Sequence, residues 1–165
     1  MIDDFLAAVA AWGGIARRVP TSGAARGTVA EMLAEFGAKT VSHWEGDALV
    51  AAIDPASMAA AAAPELADAG ITGAERGVAA TGSLVLTYGA GRGRGVGLLP
   101  DIHITLLAAD RIVADLPTAL ELAYAGSSPP SAITVITGPS ASSDIEKIRV
   151  TGVHGPRRMG VVVVG

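Results

Sequence analysis

Apolar positions follow two regimes along the chain: helical spacing at the start, and near-continuous β-branched runs further on. Phe5, Leu6 and Val9 share one helical face. Over residues 28–36, Val29, Leu33 and Phe36 share another, with Gly37 as the stop. Thr28 and Glu31 stand at capping-box spacing at the head of that second helix. Residues 39–44 and 48–53 read as short strands, the latter ended by Asp54-Pro55. Residues 56–63 are mostly alanine and predict a helix without bulky side chains, after which Pro64 opens a new turn or short helix.

From residue 71 the pattern changes. Residues 83–87, 102–107, 133–137 and 161–164 are apolar at successive positions rather than alternate ones, which predicts strands buried on both faces in a parallel or mixed sheet. Residues 116–123 supply a helix between two of them, with Leu116, Leu120 and Ala123 on one face and Pro117 in the first turn; residues 125–131 read as a loop. Strands alternating with helices argue for an α/β fold: a single layered domain over residues 1–165 with a mostly parallel sheet flanked by helices. In this reading residues 1–67 form a helical N-terminal part and residues 68–165 carry the α/β part.

Composition narrows the possible partners. Half of the 165 residues are hydrophobic and 17% are charged, which excludes global disorder. Twelve Lys and Arg against 16 Asp and Glu give a net charge of -4, the wrong sign for a nucleic-acid or anionic-lipid surface. Mean hydropathy is +0.47, but the uncharged stretch between Arg76 and Arg92 has only 15 residues, short of the roughly 20 a membrane span needs. The run over residues 122–143 is broken by Gly126-Ser127-Ser128-Pro129-Pro130. No span is expected, and the acidic start Met1-Ile2-Asp3-Asp4 predicts a cytoplasmic location. The chain has no cysteine, so it offers no disulfide, no thiol nucleophile and no thiolate for zinc or an iron–sulfur cluster.

Four Gly- or Pro-rich clusters flank predicted strands. In Ala80-Thr81-Gly82-Ser83 the glycine permits close backbone approach and two hydroxyls can hold an oxyanion. The run from Gly89 to Gly97 carries Arg92 and Arg94; it follows a strand but leads to Leu98-Leu99-Pro100 rather than a helix, so a mobile surface loop is expected there instead of a dinucleotide site. Gly138-Pro139-Ser140 leads through Ser143 to Asp144, and Gly152-Val153-His154-Gly155-Pro156 leads to Arg157. Sites in parallel sheets lie outside strand ends, so these clusters together predict an anion-holding cleft. Arg92, Arg94 or Arg157 would supply charge and amides near Ser140 and Ser143 would supply donors.

The other polar groups point to binding more than to a reaction. His43, His103 and His154 lack metal-ligand spacing, so no metal site is expected. His43 reads as a surface residue and His103 as a strand-end one. His154, beside Arg157, is the candidate ligand contact or proton-transfer group, with a loop-fixing hydrogen bond as the alternative. Asp144 and Glu146, two apart, do not share a helix face and are not a paired acid and base, and Ser140 sits in no nucleophile elbow.

Read in order, Gly70-Ile71-Thr72-Gly73-Ala74 with Ala79-Ala80-Thr81-Gly82-Ser83, Leu98-Leu99-Pro100-Asp101-Ile102-His103, Ile136-Thr137-Gly138-Pro139-Ser140 with Asp144-Ile145-Glu146, and Gly152-Val153-His154-Gly155-Pro156-Arg157 resemble the signature of the LUD-domain family of lactate utilization proteins, the LutC or YkgG type. The resemblance covers about residues 68 to 165. It implies a fold similar to that of sugar-phosphate isomerases and CoA transferases. It also implies a role as one subunit of a cytoplasmic system that oxidises L-lactate to pyruvate. Partner subunits of that system carry the iron–sulfur clusters, in keeping with a cysteine-free chain that binds no cofactor of its own.

The chain departs from the family pattern at Ala80, in place of an acidic residue; at Ser83, in place of Thr; at Ala141, in place of Arg; and at Gly97, in place of Ser. The function that the resemblance implies is a non-redox subunit or accessory protein of that system. Its expected ligand contacts are Thr81, Gly82, Ser83, Arg94, Gly138, Ser140, Ser143, Asp144, His154 and Arg157 around a small anion. An independent enzyme acting on a sugar phosphate or acyl-CoA-type substrate, and a degenerate scaffold, are the alternatives.

Overall fold

A computed structural model describes residues 1–125, 129–143, 149–151 and 155–165. Asp144 and His154 lie outside the described residues. Six parallel strands form the central sheet in the order β1 (Ile15–Val19), β12 (Arg158–Val164), β7 (Ile102–Ala108), β4 (Ala69–Gly73), β2 (Thr40–His43) and β3 (Ala60–Ala61). Alternate residues of one strand serve opposite faces, which is why the apolar runs are unbroken. Along β7, Ile102, Ile104 and Leu106 join a core with α2 (Ser22–Phe36) and α3 (Ala48–Ala52), while Leu107 joins Phe5 and Val9 of α1 (Ile2–Ala11) on the opposite face.

That opposite face is also covered by a second sheet, ordered β8 (Ile112–Val113), β5 (Arg76–Val78), β6 (Ser83–Tyr88) and β9 (Ala132–Ile136). Here β6 runs antiparallel to both its neighbours. The runs at 83–87 and 133–137 thus belong to this second layer, and α5 (Leu116–Tyr124) packs Ala119 and Ala123 on its outer side against Val78 and Val85. A short α4 (Gly95–Leu98) leads into β7, and β10 (Ala141–Ser143) pairs with β11 (Arg149–Thr151) as a separate hairpin.

Several local expectations are corrected. The second helix begins six residues earlier than Thr28, because the Thr21 hydroxyl accepts from Ala24 N–H; Glu31 instead pairs with Arg17. Gly37 ends it at φ 73°. Residues 48–52 are helical rather than extended, since Asp47 caps the N–H groups of Leu49 and Val50. The alanine run is not a helix: Pro55–Ser57 forms one 3-10 turn and Ala60–Ala61 an edge strand. Residues 1–67 therefore contribute three strands of the parallel sheet besides their helices.

Candidate functional site

The sequence-derived cluster assembles in part, at one end of the second sheet. The pairing of Leu84 with Ile136 sets Ser83 opposite Thr137, and a chain of hydroxyls results: Thr81 Oγ1 is 2.7 Å from Ser83 Oγ, which is 2.6 Å from Thr137 Oγ1. Gly82, at φ +68°, lies under α1, where a Cβ would stand 2.6 Å from Val9 N and 2.9 Å from Trp12 Nε1. Gly138, at φ +100°, abuts the same indole. Two residues on, Ser140 N–H donates to Pro156 O at 2.7 Å, and Arg157 N–H donates to Asp101 O at 2.8 Å.

The strip from Thr81 to Arg157 is thus continuous, but its arginine stands just before β12, at the amino end of the parallel sheet, with Asp101 3.6 Å from its Nε. Arg94 precedes α4, exposed and without an ion pair among the described residues. Ser143 closes β10, where it pairs with Arg149.

A concavity of about 750 Å³ opens elsewhere. Gly46 follows β2, Glu75 and Arg76 follow β4, and Arg92 reaches in from the Gly-rich loop, with Thr87 and Tyr88 at the end of β6. This cleft lies outside the carboxyl ends of parallel strands, where ligands bind in open α/β sheets. Glu75 is shared by three guanidinium groups: its carboxylate oxygens stand 2.9 Å from Arg76, 3.4 Å from Arg111 and 4.0 Å from Arg92.

Arg92 is fixed as well as charged. Its Nε donates to Gly46 O at 2.8 Å and one Nη to Thr87 Oγ1 at 3.3 Å. Its guanidinium carbon sits 5.9 Å from the centroid of the Trp44 ring, which meets Tyr88 edge-on and donates Nε1–H to Gly93 O at 2.9 Å. Tyr88 is 5% exposed, and its hydroxyl has no hydrogen-bond partner among the described residues. Arg92 is one of the three charge sources expected from the Gly- and Pro-rich clusters, whereas no such cluster contains Glu75, Arg76 or Tyr88. The signal was present in Gly70-Ile71-Thr72-Gly73, but glycines inside a strand hide its end, and the strand end is what marks Glu75 and Arg76.

His103 stands second in β7, near the strand's start. It is fully buried in β7, with Nε2 2.8 Å from Thr72 Oγ1 and 3.3 Å from Thr105 Oγ1. Burial pushes its pKa down to about 4, so the ring is neutral at neutral pH. Gly97 seals it: a Cβ there would stand 3.2 Å from the imidazole. His43 is half-buried beside the Trp44 carbonyl. Among the described residues no group of three His, Asp or Glu is placed to hold a metal, and no helix is long and apolar enough to cross a membrane.

The LUD domain family matches residues 48–164. Lactate utilization protein C of Deinococcus radiodurans is 42% identical over 100 residues, 60% of this chain and 47% of that protein. The protein of the same name from Bacillus subtilis is 38% identical over 104 residues, 61% of this chain and 43% of its own length. The matched stretch therefore spans less than half of either relative. The crystal structure of a DUF162 family protein from Deinococcus radiodurans superposes with a TM-score of 0.69 at 25% identity, covering 99% of this chain and 96% of that one.

Proposed function

The chain belongs to the LUD-domain family, and from that premise we propose that it serves lactate utilization in the cytoplasm as a non-redox subunit, binding a small anion while iron–sulfur partners carry the electrons. The observation that carries this reading is the arginine-lined cleft at the carboxyl ends of β2 and β4. In a chain of net charge -4, a local excess of guanidinium in a concavity is a specific feature rather than a consequence of composition. Arg76 and Arg92 would hold the anion's oxygens, Arg92 being braced by Gly46, Thr87 and the face of Trp44. The absence of cysteine supports the division of labour, since electrons leaving lactate would pass to clusters on another chain.

The hydroxyl strip from Thr81 through Thr137 to Ser140 and Arg157 is, in this reading, a second polar surface, which begins at the end of β6 opposite the cleft. Its expected contribution is structural support of the Gly138 turn and, with Arg157, contact to a partner subunit. Two measurements test the reading together. Tagged full-length protein is isolated from lactate-grown cells and its companions are assayed for iron and acid-labile sulfide. Thermal denaturation is followed with L-lactate, pyruvate, inorganic phosphate and CoA, because a saturating ligand raises stability by mass action. Iron–sulfur companions together with a shift by an anion support the proposal. Recovery of the chain alone with a shift only by CoA would favour an independent enzyme, and recovery alone with no shift would favour a scaffold.

A further inference from the structure

We infer that the arginine cleft selects a dianion larger than lactate, with Glu75 acting as the internal counter-ion that holds the arginines ready. The inference rests on the anion-binding reading above and adds charge state and size to it.

Charge comes first. Three guanidinium groups converge on one carboxylate, so two positive charges are left unbalanced around Glu75: Arg76 and Arg92 line the cleft, and Arg111 adds its charge from just outside the lining. Among the described residues no other carboxylate is paired with them: Asp47 accepts from Leu49 and Val50 N–H at the head of α3, and neither it nor Glu45, Asp110 or Glu121 forms an ion pair with Arg76, Arg92 or Arg111. A monoanion neutralises one of the two charges, a dianion both. The side chains of Glu75 and Arg76 are only 21% and 18% exposed and that of Arg92 30%, so screening by solvent is weaker than at an open surface.

Geometry points the same way. Arg92 uses Nε and one Nη on the protein, which leaves its second Nη without a partner among the described residues. Arg76 Nη1 is held at once by the Glu75 carbonyl at 2.6 Å and the Glu75 carboxylate at 2.9 Å, which fixes the orientation of its planar fork. Two preset forks suit a group presenting several oxygens, as a phosphate or a pair of carboxylates does. A volume of about 750 Å³ belongs with metabolite-sized ligands, in the range of roughly 300–1,000 Å³ common to ligand pockets, rather than with a three-carbon acid alone. Thr87 and Ser131 supply hydroxyls along the wall for the remainder of such a molecule.

Calorimetric titration of the full chain at pH 8 and matched ionic strength with succinate, inorganic phosphate, L-lactate and acetate tests this. Succinate and phosphate are the dianionic probes, and comparing them separates a dicarboxylate from a phosphate ligand. The expected result is that at least one dianion binds tenfold or more tighter than lactate, and that Arg92→Gln removes that preference while thermal unfolding without ligand shows the variant still folded. Arg76→Gln gives the same readout should Arg92→Gln not fold. Lactate binding as tightly as both dianions, with loss in the same variants, would overturn the inference and leave the anion-binding reading standing. Binding of no probe, or binding indifferent to both arginines, would overturn the two together.

Discussion

Thr72 Oγ1 and His103 Nε2 lie 2.8 Å apart with both residues fully buried, while the imidazole's other nitrogen, Nδ1, has no partner among the described residues. A neutral ring is thereby fixed in the middle of the parallel sheet, and its charged form is excluded. Burial holds its pKa near 4 against 6.5 for an exposed histidine. The unfolded chain therefore takes up a proton that the native chain refuses. Stability is full above about pH 6.5 and declines as pH falls towards 4, by up to roughly 3 kcal/mol. Urea unfolding midpoints measured from pH 7.5 to 4 should show this slope, and His103→Gln should flatten it. An unchanged slope in that variant would place the acid sensitivity elsewhere.

Gly70 lets α4 rest directly on β4. A Cβ at this position would overlap the Val96 carbonyl oxygen, a backbone atom that cannot rotate aside. Gly70→Ala is expected to cost about 3 kcal/mol, because helix and strand must separate. Denaturant titration reads the loss directly. Full stability in the variant would mean that α4 yields without cost.

The hydroxyl chain from Thr81 through Ser83 to Thr137 ties the start of β6 to the end of β9. Ser83→Ala leaves two hydroxyls without their shared partner and should destabilise the chain by about 1–2 kcal/mol. Anion affinity should stay unchanged, since these groups stand at the opposite end of β6 from Thr87 and Tyr88, about 17 Å away along a six-residue strand. A lowered affinity without a lowered stability would move the binding site to this strip.

How much of this was legible in the sequence depends on the signal each element carried. The strands around Leu84, Ile104 and Val162 announced themselves because both of their faces are buried, and the helix expected over residues 116–123 because Leu116, Leu120 and Ala123 share a face and Pro117 marks its first turn. Ile15–Val19 was missed because it is an edge strand carrying Arg17 and Arg18, and Ala69–Gly73 because two of its five residues are glycines, Gly70 admitting α4 and Gly73 admitting Asp47. The alanine run misled because intrinsic helix propensity is weak and the 3-10 turn begun at Asp54-Pro55 overrides it. Three of the four clusters pointed to the turns around β6, β9 and β12, and only the Gly89–Gly97 run lines the cleft, which joins Gly46 past β2 and Glu75 and Arg76 past β4 to the end of β6, α5 and residues 129–131. Nothing local in a sequence tells which strands run parallel, so it could not show which strand ends would face the same hollow.

The most direct test of the account is the fluorescence of Trp44, whose ring lies beneath the Arg92 guanidinium. In a Trp12→Phe background Trp44 is the sole indole. Titration with the tightest-binding anion should change its emission saturably, and Arg92→Gln should abolish the change. Emission indifferent to an anion that demonstrably binds, or a response that survives the loss of Arg92, would contradict an anion site between Arg76 and Arg92.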